Sequence, residues 1–199
     1  METLILGKYD NKVTIEDPGL RDYINLTPRY VLHTQGRHGN KNFARKNVTT
    51  LERLVNNLMR SGTGGKLGGK LIRDRGGCGK KTKMLKVLED ALVLIEKREK
   101  QNPIQTLVKA IENSAPKEET TRIRMGGVVY PVAVDISPQR RLDIALRNIG
   151  RSVLMQSFNN KKTAAQGLSD EIILAAKNDP SSYAVKRKTE MERIAKSSR

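Results

Sequence analysis

Arginines spaced for one face of a helix are the first side chains in this sequence that could do chemistry. Arg140, Arg147 and Arg151 fall within about 20° of one direction at 100° per residue, with Arg141 on the flank. Guanidinium groups bind phosphates through directional, paired hydrogen bonds. One acid, Asp143, could pair with Arg147 but not with the whole row. The row therefore predicts a phosphate-binding surface, with a solvated helix face as the alternative.

A second basic group lies in a polar, irregular stretch, residues 29–46, where rings are interleaved with lysine and arginine. Such bases can neutralise phosphates, and rings such as Tyr30 and Phe43 can stack on unpaired nucleobases. We interpret the stretch as an RNA-binding arm, and a mobile, solvated arm fits this segment equally well. The predicted RNA contacts in the arm are Arg37, Lys41, Arg45 and Lys46.

Glycine and basic residues share residues 61–82, which hold eight of the 16 glycines in the chain. Residues 64–70 approach a nucleotide phosphate loop, but Leu71 replaces the hydroxyl that would bind Mg²⁺, and no buried strand precedes them. We therefore predict a flexible basic loop against RNA, with a disordered surface insertion as the alternative. The predicted contacts at its two ends are Arg60, Lys80, Lys81 and Lys83.

The remaining residue types form no catalytic or metal-binding set. A single cysteine excludes an internal disulfide and a cysteine-rich zinc site. His33 and His38 lie in the arm without nearby cysteine and offer no convincing metal ligand set. Neither a serine nucleophile elbow nor a deaminase signature occurs, and the acids are scattered. We expect no enzyme activity, no cofactor and no metal.

The charge balance points to a polyanionic partner. The 199 residues contain 38 Lys and Arg against 21 Asp and Glu, a net charge of +17, and most of the excess lies in residues 29–88. For a chain of this charge the usual partner is nucleic acid. No apolar run approaches the roughly 20 residues that cross a bilayer, and no signal core opens the chain. We therefore expect a cytoplasmic protein without a membrane partner.

Apolar periodicity predicts a mainly α fold, a bundle of about six helices. The helices should open near residues 49, 83, 102, 137, 163 and 182. Thr49 and Glu52 have the spacing of a capping box at the first of them. We divide the chain into an N-terminal extension with the basic arm, 1–48, and a helical domain, 49–199.

The apolar period changes from about 3.6 to 2 near residue 119, which predicts a protruding two-stranded β-ribbon over 119–135. Gly126 and Gly127 suit a two-residue hairpin turn. Two strands alone are marginally stable, and no third strand is available, so the ribbon needs support at its base or from a partner. Arg122 and Arg124 share one face and would point at that partner. An edge ribbon folded onto the body is the alternative.

Several separated motifs resemble one known family. Residues 126–142 closely resemble the hairpin and following helix of the universal small-subunit head protein, ribosomal protein seven in bacteria and five in eukaryotes. Residues 182–199 resemble its eukaryotic or archaeal form. Segments 51–59, 102–111 and 122–123 also fit, so the resemblance spans about residues 28–199. The loop from Ser61 to Gly79 is longer and richer in glycine than the family pattern.

The resemblance implies a helical bundle with a β-ribbon arm that binds the 3′ major domain of small-subunit ribosomal RNA and organises the head. It implies neighbouring ribosomal proteins of the head as partners. It places the ribbon and the C-terminal end near exit-site transfer RNA and messenger RNA. Carried over to this chain, the residues near those RNAs are Arg122, Arg124, Gly126, Gly127 and Arg199. The competing hypothesis is a free basic RNA chaperone or messenger-binding regulator, which would bind many RNAs with similar affinity.

Overall fold

The computed structural model describes residues 4–60, 66–67, 70–71 and 79–199. Two short strands, β1 (Lys66–Leu67) and β2 (Lys70–Leu71), pair antiparallel. Most of the predicted glycine-rich loop, 61–82, lies outside the described residues, so its contact with RNA stays a prediction.

The described chain is mainly helical, as the apolar periodicity predicts. It forms one short and six longer α-helices: α1 (Pro18–Arg21), α2 (Thr50–Leu58), α3 (Lys81–Glu99), α4 (Pro103–Ser114), α5 (Pro138–Ser157), α6 (Ala164–Ala176) and α7 (Tyr183–Ser197). The six longer helices begin within two residues of the predicted positions. The arm contains two single 3-10 turns, Arg37–Asn40 and Ala44–Asn47.

Side-chain caps fix where most of these helices begin. The Thr163 hydroxyl accepts from the Gln166 amide at 3.3 Å, and the Gln166 side chain accepts from the Thr163 amide at 3.1 Å, which completes a capping box at α6. At α2 only half of the predicted box forms. The Thr49 hydroxyl accepts from the Glu52 amide, but the Glu52 carboxylate turns to other donors, described below.

The core lies where α6 packs against α3, α4 and α5. It is aliphatic, as the low aromatic content predicts, with Leu92, Leu107 and Ile172 fully buried. Leu20 and Leu32, from the predicted N-terminal extension, are buried in the same core. The extension therefore contributes to the packing of the bundle, and the arm is attached to the bundle through apolar contacts at its start.

The β-ribbon protrudes as predicted, over β3 (Glu118–Met125) and β4 (Val128–Asp135). The strands are antiparallel, with Met125 opposite Val128 at the tip. Gly126 and Gly127 have φ of +57° and +83°, the left-handed conformations that a two-residue turn of type I′ requires. Residues 121–131 are all exposed, whereas the base of the ribbon contacts α7. The ribbon is therefore an arm supported at its base.

The described residues contain neither a membrane-spanning helix nor a cluster of metal ligands. None of their helices combines the length and apolar character that crossing a bilayer requires. In the same part of the chain no three His, Cys, Asp or Glu side chains cluster as metal ligands would.

Candidate nucleic-acid interface

A buried carboxylate, Glu52 at the start of α2, ties the arm to the start of α3. It accepts hydrogen bonds from the Thr34 amide at 2.9 Å and the Thr34 hydroxyl at 3.1 Å. Lys81 Nζ donates to the same oxygen at 2.6 Å. Burial raises the pKa of Glu52, but the hydrogen bonds from Lys81 and Thr34 lower it by more, so the net pKa falls below its usual range. Glu52 therefore stays ionised and holds two RNA-binding candidates, the arm and the first turn of α3, side by side.

Lys81 is consequently engaged inside the protein. Its side chain is 14% exposed and its charge is compensated by Glu52. The adjacent Lys80 and the following Lys83 are exposed at the same helix start. The predicted lysine group at α3 thus divides into one structural residue and two surface residues.

A second carboxylate, Asp143 on α5, joins the arm to the bundle. Its Oδ2 atom accepts from Arg45 NH1 at 3.0 Å, and its Oδ1 atom accepts from Arg53 NH2 at 2.9 Å. The sequence had offered Arg147 as its partner, one helical turn away. Asp143 instead binds the arm and α2, and Arg147 has no acidic partner among the described residues.

Arg141 differs from the other arginines of α5 because it is buried. Its Nε atom donates to the Pro116 carbonyl at 3.1 Å, and its NH2 atom lies 2.6 Å from Asp17 Oδ2. Burial raises the pKa of Asp17, but hydrogen bonds from Arg141 and the Gly19 amide lower it by more, and the net pKa is lowered. Arg141 therefore fastens the N-terminal segment to α5, and we leave it out of the proposed interface.

The other three arginines of the row reach the surface. Arg140 forms a forked ion pair with Glu119 at the base of the ribbon, with Nε–Oε1 at 2.7 Å and NH2–Oε2 at 2.8 Å. These hydrogen bonds raise the pKa of Arg140. Arg147 is exposed and Arg151 half-buried, and neither has an ion-pair partner in the part of the chain described. The row therefore retains two uncompensated guanidinium groups.

Two clefts lie along this surface. The larger, about 610 Å³, is formed by the arm itself, and its basic and imidazole lining residues are Arg29, His33, Arg37, His38 and Lys41. The smaller, about 330 Å³, lies between the arm and the start of α5, and it is lined by Arg45, Ser137, Gln139, Arg140, Asp143, Ile144 and Arg147. The structure thus brings predicted residues of the arm and of α5 together in one place.

Exposed rings border the same surface. Phe43 in the arm is 81% exposed and Tyr30 is 74% exposed, far above the exposure usual for rings of this size. Lys46 is exposed next to Arg45. Basic groups beside free rings are the combination that binds unpaired nucleotides. Arg60, the remaining candidate of this group, is exposed just beyond the C-terminal end of α2.

The ribbon has two chemically different faces. Arg122 lies opposite Pro131 and Arg124 opposite Val129, so both arginines share one face. The apolar residues Ile123 and Tyr130 lie opposite each other on the other face, and each is more than 40% exposed. Arg199 is not at this tip, because its guanidinium contacts Glu118 at the base.

Sequence reasoning missed how Arg53, Asp143 and Glu52 hold the elements of this surface together. Each is a charged residue whose role depends on a partner far along the chain. Arg53 lies on the polar side of α2, where the apolar stripe predicts solvent, yet it is only 5% exposed. No spacing within one helix carries that information.

Comparison with known proteins decides the family. The family model described as ribosomal protein S7p/S5e matches residues 20–199. The chain belongs to this family. It is 46% identical over 198 residues to the small ribosomal subunit protein uS7 of Methanosphaera stadtmanae, with 99% of each chain covered. It is also 46% identical over 200 residues to the uS7 protein of Picrophilus torridus, with both chains covered completely.

The family membership confirms the resemblance that the hairpin and tail motifs indicated. Both relatives are archaeal, in agreement with the archaeal or eukaryotic character of residues 182–199. The chain is a ribosomal protein and not an enzyme. The matched region includes the arm, both clefts, α5 and the ribbon.

Proposed function

We propose that this ribosomal protein is a structural constituent of the small subunit, where it binds the 3′ major domain of the ribosomal RNA and organises the head. Both archaeal relatives are named as proteins of the small ribosomal subunit, which supports the assignment of this chain to that subunit. It would work in the cytoplasm as part of the ribosome, beside other proteins of the head.

One observation carries the RNA-binding part of this proposal. The arm and α5, more than 90 residues apart in sequence, are joined by the Arg45–Asp143 ion pair at 3.0 Å. Their exposed basic groups consequently form one surface with a surplus of positive charge. Such a surface suits a folded RNA, which proteins recognise largely through its shape and its phosphates. The proposed contacts on this surface are Arg37, Lys41, Arg45, Lys46, Arg60, Lys80, Lys83, Arg140, Arg147 and Arg151.

We assign the ribbon to a second RNA contact, with exit-site transfer RNA and messenger RNA. Its tip, Gly126 and Gly127, lies at the exposed far end of the ribbon, and Arg122 and Arg124 supply positive charge on one face. Arg199 would act at the base of the ribbon. The proposal here rests on family resemblance together with the exposure of the ribbon.

The experiment that tests the subunit assignment is sedimentation of a cell lysate through a sucrose gradient at low and high monovalent salt. A structural constituent should co-migrate with small subunits at both salt concentrations. Release into light fractions at high salt would overturn this assignment, because purely electrostatic contacts weaken steeply with salt.

The competing function is a free RNA chaperone or messenger-binding regulator. The two functions predict different selectivity among RNAs. The purified protein is titrated with a transcript of the 3′ major domain and with a length-matched transcript from another domain of the same ribosomal RNA. The structural role predicts clearly tighter binding to the first transcript. Equal affinities would favour the chaperone.

A further inference from the structure

The smaller cleft has the features of an anion-binding site. It lies where the arm meets the first turns of α5, and Arg45, Arg140 and Arg147 line it. Ser137 and Gln139, at the start of α5, line it as well. The Ser137 side chain does not cap the helix, Pro138 has no amide hydrogen, and the Arg141 amide donates to the Ser137 carbonyl. The amides of Gln139 and Arg140, in the first turn of this 20-residue helix, are therefore left for another acceptor. A helix N-terminus favours an anion through these amides and through its dipole.

One carboxylate, Asp143, also lines the cleft, and it would repel an anion if it were unpaired. Both of its oxygens are engaged, one by Arg45 and the other by Arg53. Arg140 is balanced by Glu119. Around the cleft, four guanidinium groups therefore stand against two carboxylates, and a positive surplus remains.

Arg53, on α2, contacts the Asp143 carboxylate that lines the cleft. It is 95% buried, and its Nε and NH1 atoms have no hydrogen-bond partner in the described structure. Buried donors without partners are costly, and a buried cation is costly unless it is paired. Among the described residues, Asp143 is the one carboxylate that pairs with Arg53, and it also pairs with Arg45. Asp143 thus links Arg53 of α2 to Arg45 of the arm.

We propose that this cleft seats a single phosphodiester group of the bound RNA, and that Asp143 is the positioning residue that holds Arg45 against α5. Arg147 and Arg45 bind the phosphate oxygens from two sides, and the amides at the start of α5 bind from a third. Arg53 fixes the carboxylate from within the protein. This inference rests on the proposed function, because RNA supplies the phosphate.

The direct test maps individual phosphates by ethylation interference. The transcript of the 3′ major domain is sparsely ethylated, and protein-bound and free RNA are separated and compared. Wild-type protein should show interference at a group of phosphates. The Arg147→Gln variant should lose interference at one or two adjacent phosphates and bind about tenfold more weakly, the loss of one charge-assisted hydrogen bond.

The matched control is Lys97→Gln, which removes the same charge from an exposed position. Lys97 lies about 24 Å along α3 from Lys81, the end of that helix nearest the arm. Its variant should keep the whole interference pattern. The phosphate seat is overturned if Arg147→Gln keeps the pattern too, or if both variants lose the same phosphates.

The role of Asp143 is tested by whether its replacement weakens or strengthens RNA binding. Asp143→Asn raises the net charge by one, and charge alone would strengthen binding to RNA. A positioning role predicts weaker binding instead, because Arg45 is released from α5. The control is Asp90→Asn, which makes the same charge change at an exposed position of α3 and should leave affinity unchanged or slightly raised. Equal or tighter binding by Asp143→Asn would overturn the positioning role.

Removing Asp143 alone leaves Arg53 buried without a counter-charge and could prevent folding. The double variant Arg53→Leu with Asp143→Asn removes both charges and keeps the net charge of the wild type. This double variant should also bind RNA more weakly than the wild type. Circular dichroism checks that it folds. Binding with wild-type affinity would overturn the positioning role of Asp143. Failure of the proposed function is recognised separately. There, the wild-type protein itself would show no preference for the 3′ major domain transcript.

Discussion

The buried carboxylate of Glu171 on α6 accepts a hydrogen bond from the hydroxyl of Ser182, the N-cap of α7, at 2.8 Å. The same oxygen accepts from the Ala184 amide at 2.9 Å, and the second oxygen accepts from Ser152 on α5 at 2.6 Å. No cation pairs with Glu171 among the described residues. Its charge is stabilised by donors on α5 and by the N-terminus of α7, whose dipole favours an anion. Glu171 therefore joins the C-terminal helix to the bundle.

This relationship predicts a stability effect for Glu171→Gln. An amide keeps the shape but replaces one of the two accepting oxygens by an NH2 donor, and donors face both positions. The free energy of unfolding should therefore fall by about 1 to 3 kcal/mol. Urea denaturation of the free protein measures it. Glu190→Gln, at a half-buried position of α7 where the carboxylate pairs with Arg187 near the surface, should lower the same quantity by no more than about 0.5 kcal/mol. Equal effects of the two variants would contradict the buried role.

The Asp17–Arg141 pair predicts a pH dependence. The folded-state pKa of Asp17 is lowered, so its contribution to stability is present above its unfolded value, near 3.9, and is lost as pH falls through the folded pKa. Compared with an Asp17→Asn variant, the wild type should be more stable at pH 6, and the difference should shrink below about pH 4. Thermal unfolding at both pH values measures the two differences. A difference independent of pH would exclude ionisation of Asp17 as its source.

Much of this architecture follows from local patterns in the sequence. The six longer helices are local events, set by apolar stripes and caps such as Asn102–Pro103 at α4. The hairpin turn is local too, because Gly126 and Gly127 supply the two positive φ angles. The ion pairs are not local. Arg45 and Asp143 are 98 positions apart, and Asp17 and Arg141 are 124 apart, so no spacing rule connects them.

The same distinction explains which site residues could be predicted. The helical angles correctly place Arg147 and Arg151 away from the core. They cannot show that Arg141, on the flank of the row, would meet the N-terminal segment and be buried. Nor can they show that Lys81 would be drawn to Glu52. Charge clusters in a sequence locate a basic surface, and only tertiary packing separates its free charges from its paired ones.

The two uncompensated arginines of α5 predict a change in the salt dependence of RNA binding. In a variant carrying Arg147→Gln and Arg151→Gln, the slope of log affinity against log salt concentration should become shallower by about 1.5 to 2. Filter binding to the 3′ major domain transcript at several KCl concentrations measures the slope. Lys97→Gln with Lys109→Gln removes the same charge from exposed positions of α3 and α4 and should leave the slope nearly unaltered. An unchanged slope in the arginine variant would mean that these two residues form a solvated helix face and do not contact phosphates.

The exposed outer half of the ribbon predicts that it contributes little to the stability of the free protein. Residues 121–130 are all exposed, whereas the base is held by contacts with α7 and by the Arg140–Glu119 pair. Deleting 121–130 joins Thr120 to Pro131 and leaves those base contacts in place. The midpoint of thermal unfolding should therefore shift by no more than a few degrees, the effect of about 1 kcal/mol in a domain of this size. Ile136→Ala, at a buried position directly after β4, should cost about 2 to 5 kcal/mol in the same assay. A deletion as damaging as Ile136→Ala would mean that the tip packs on the body, and that its exposed arginines and rings serve the fold rather than a partner.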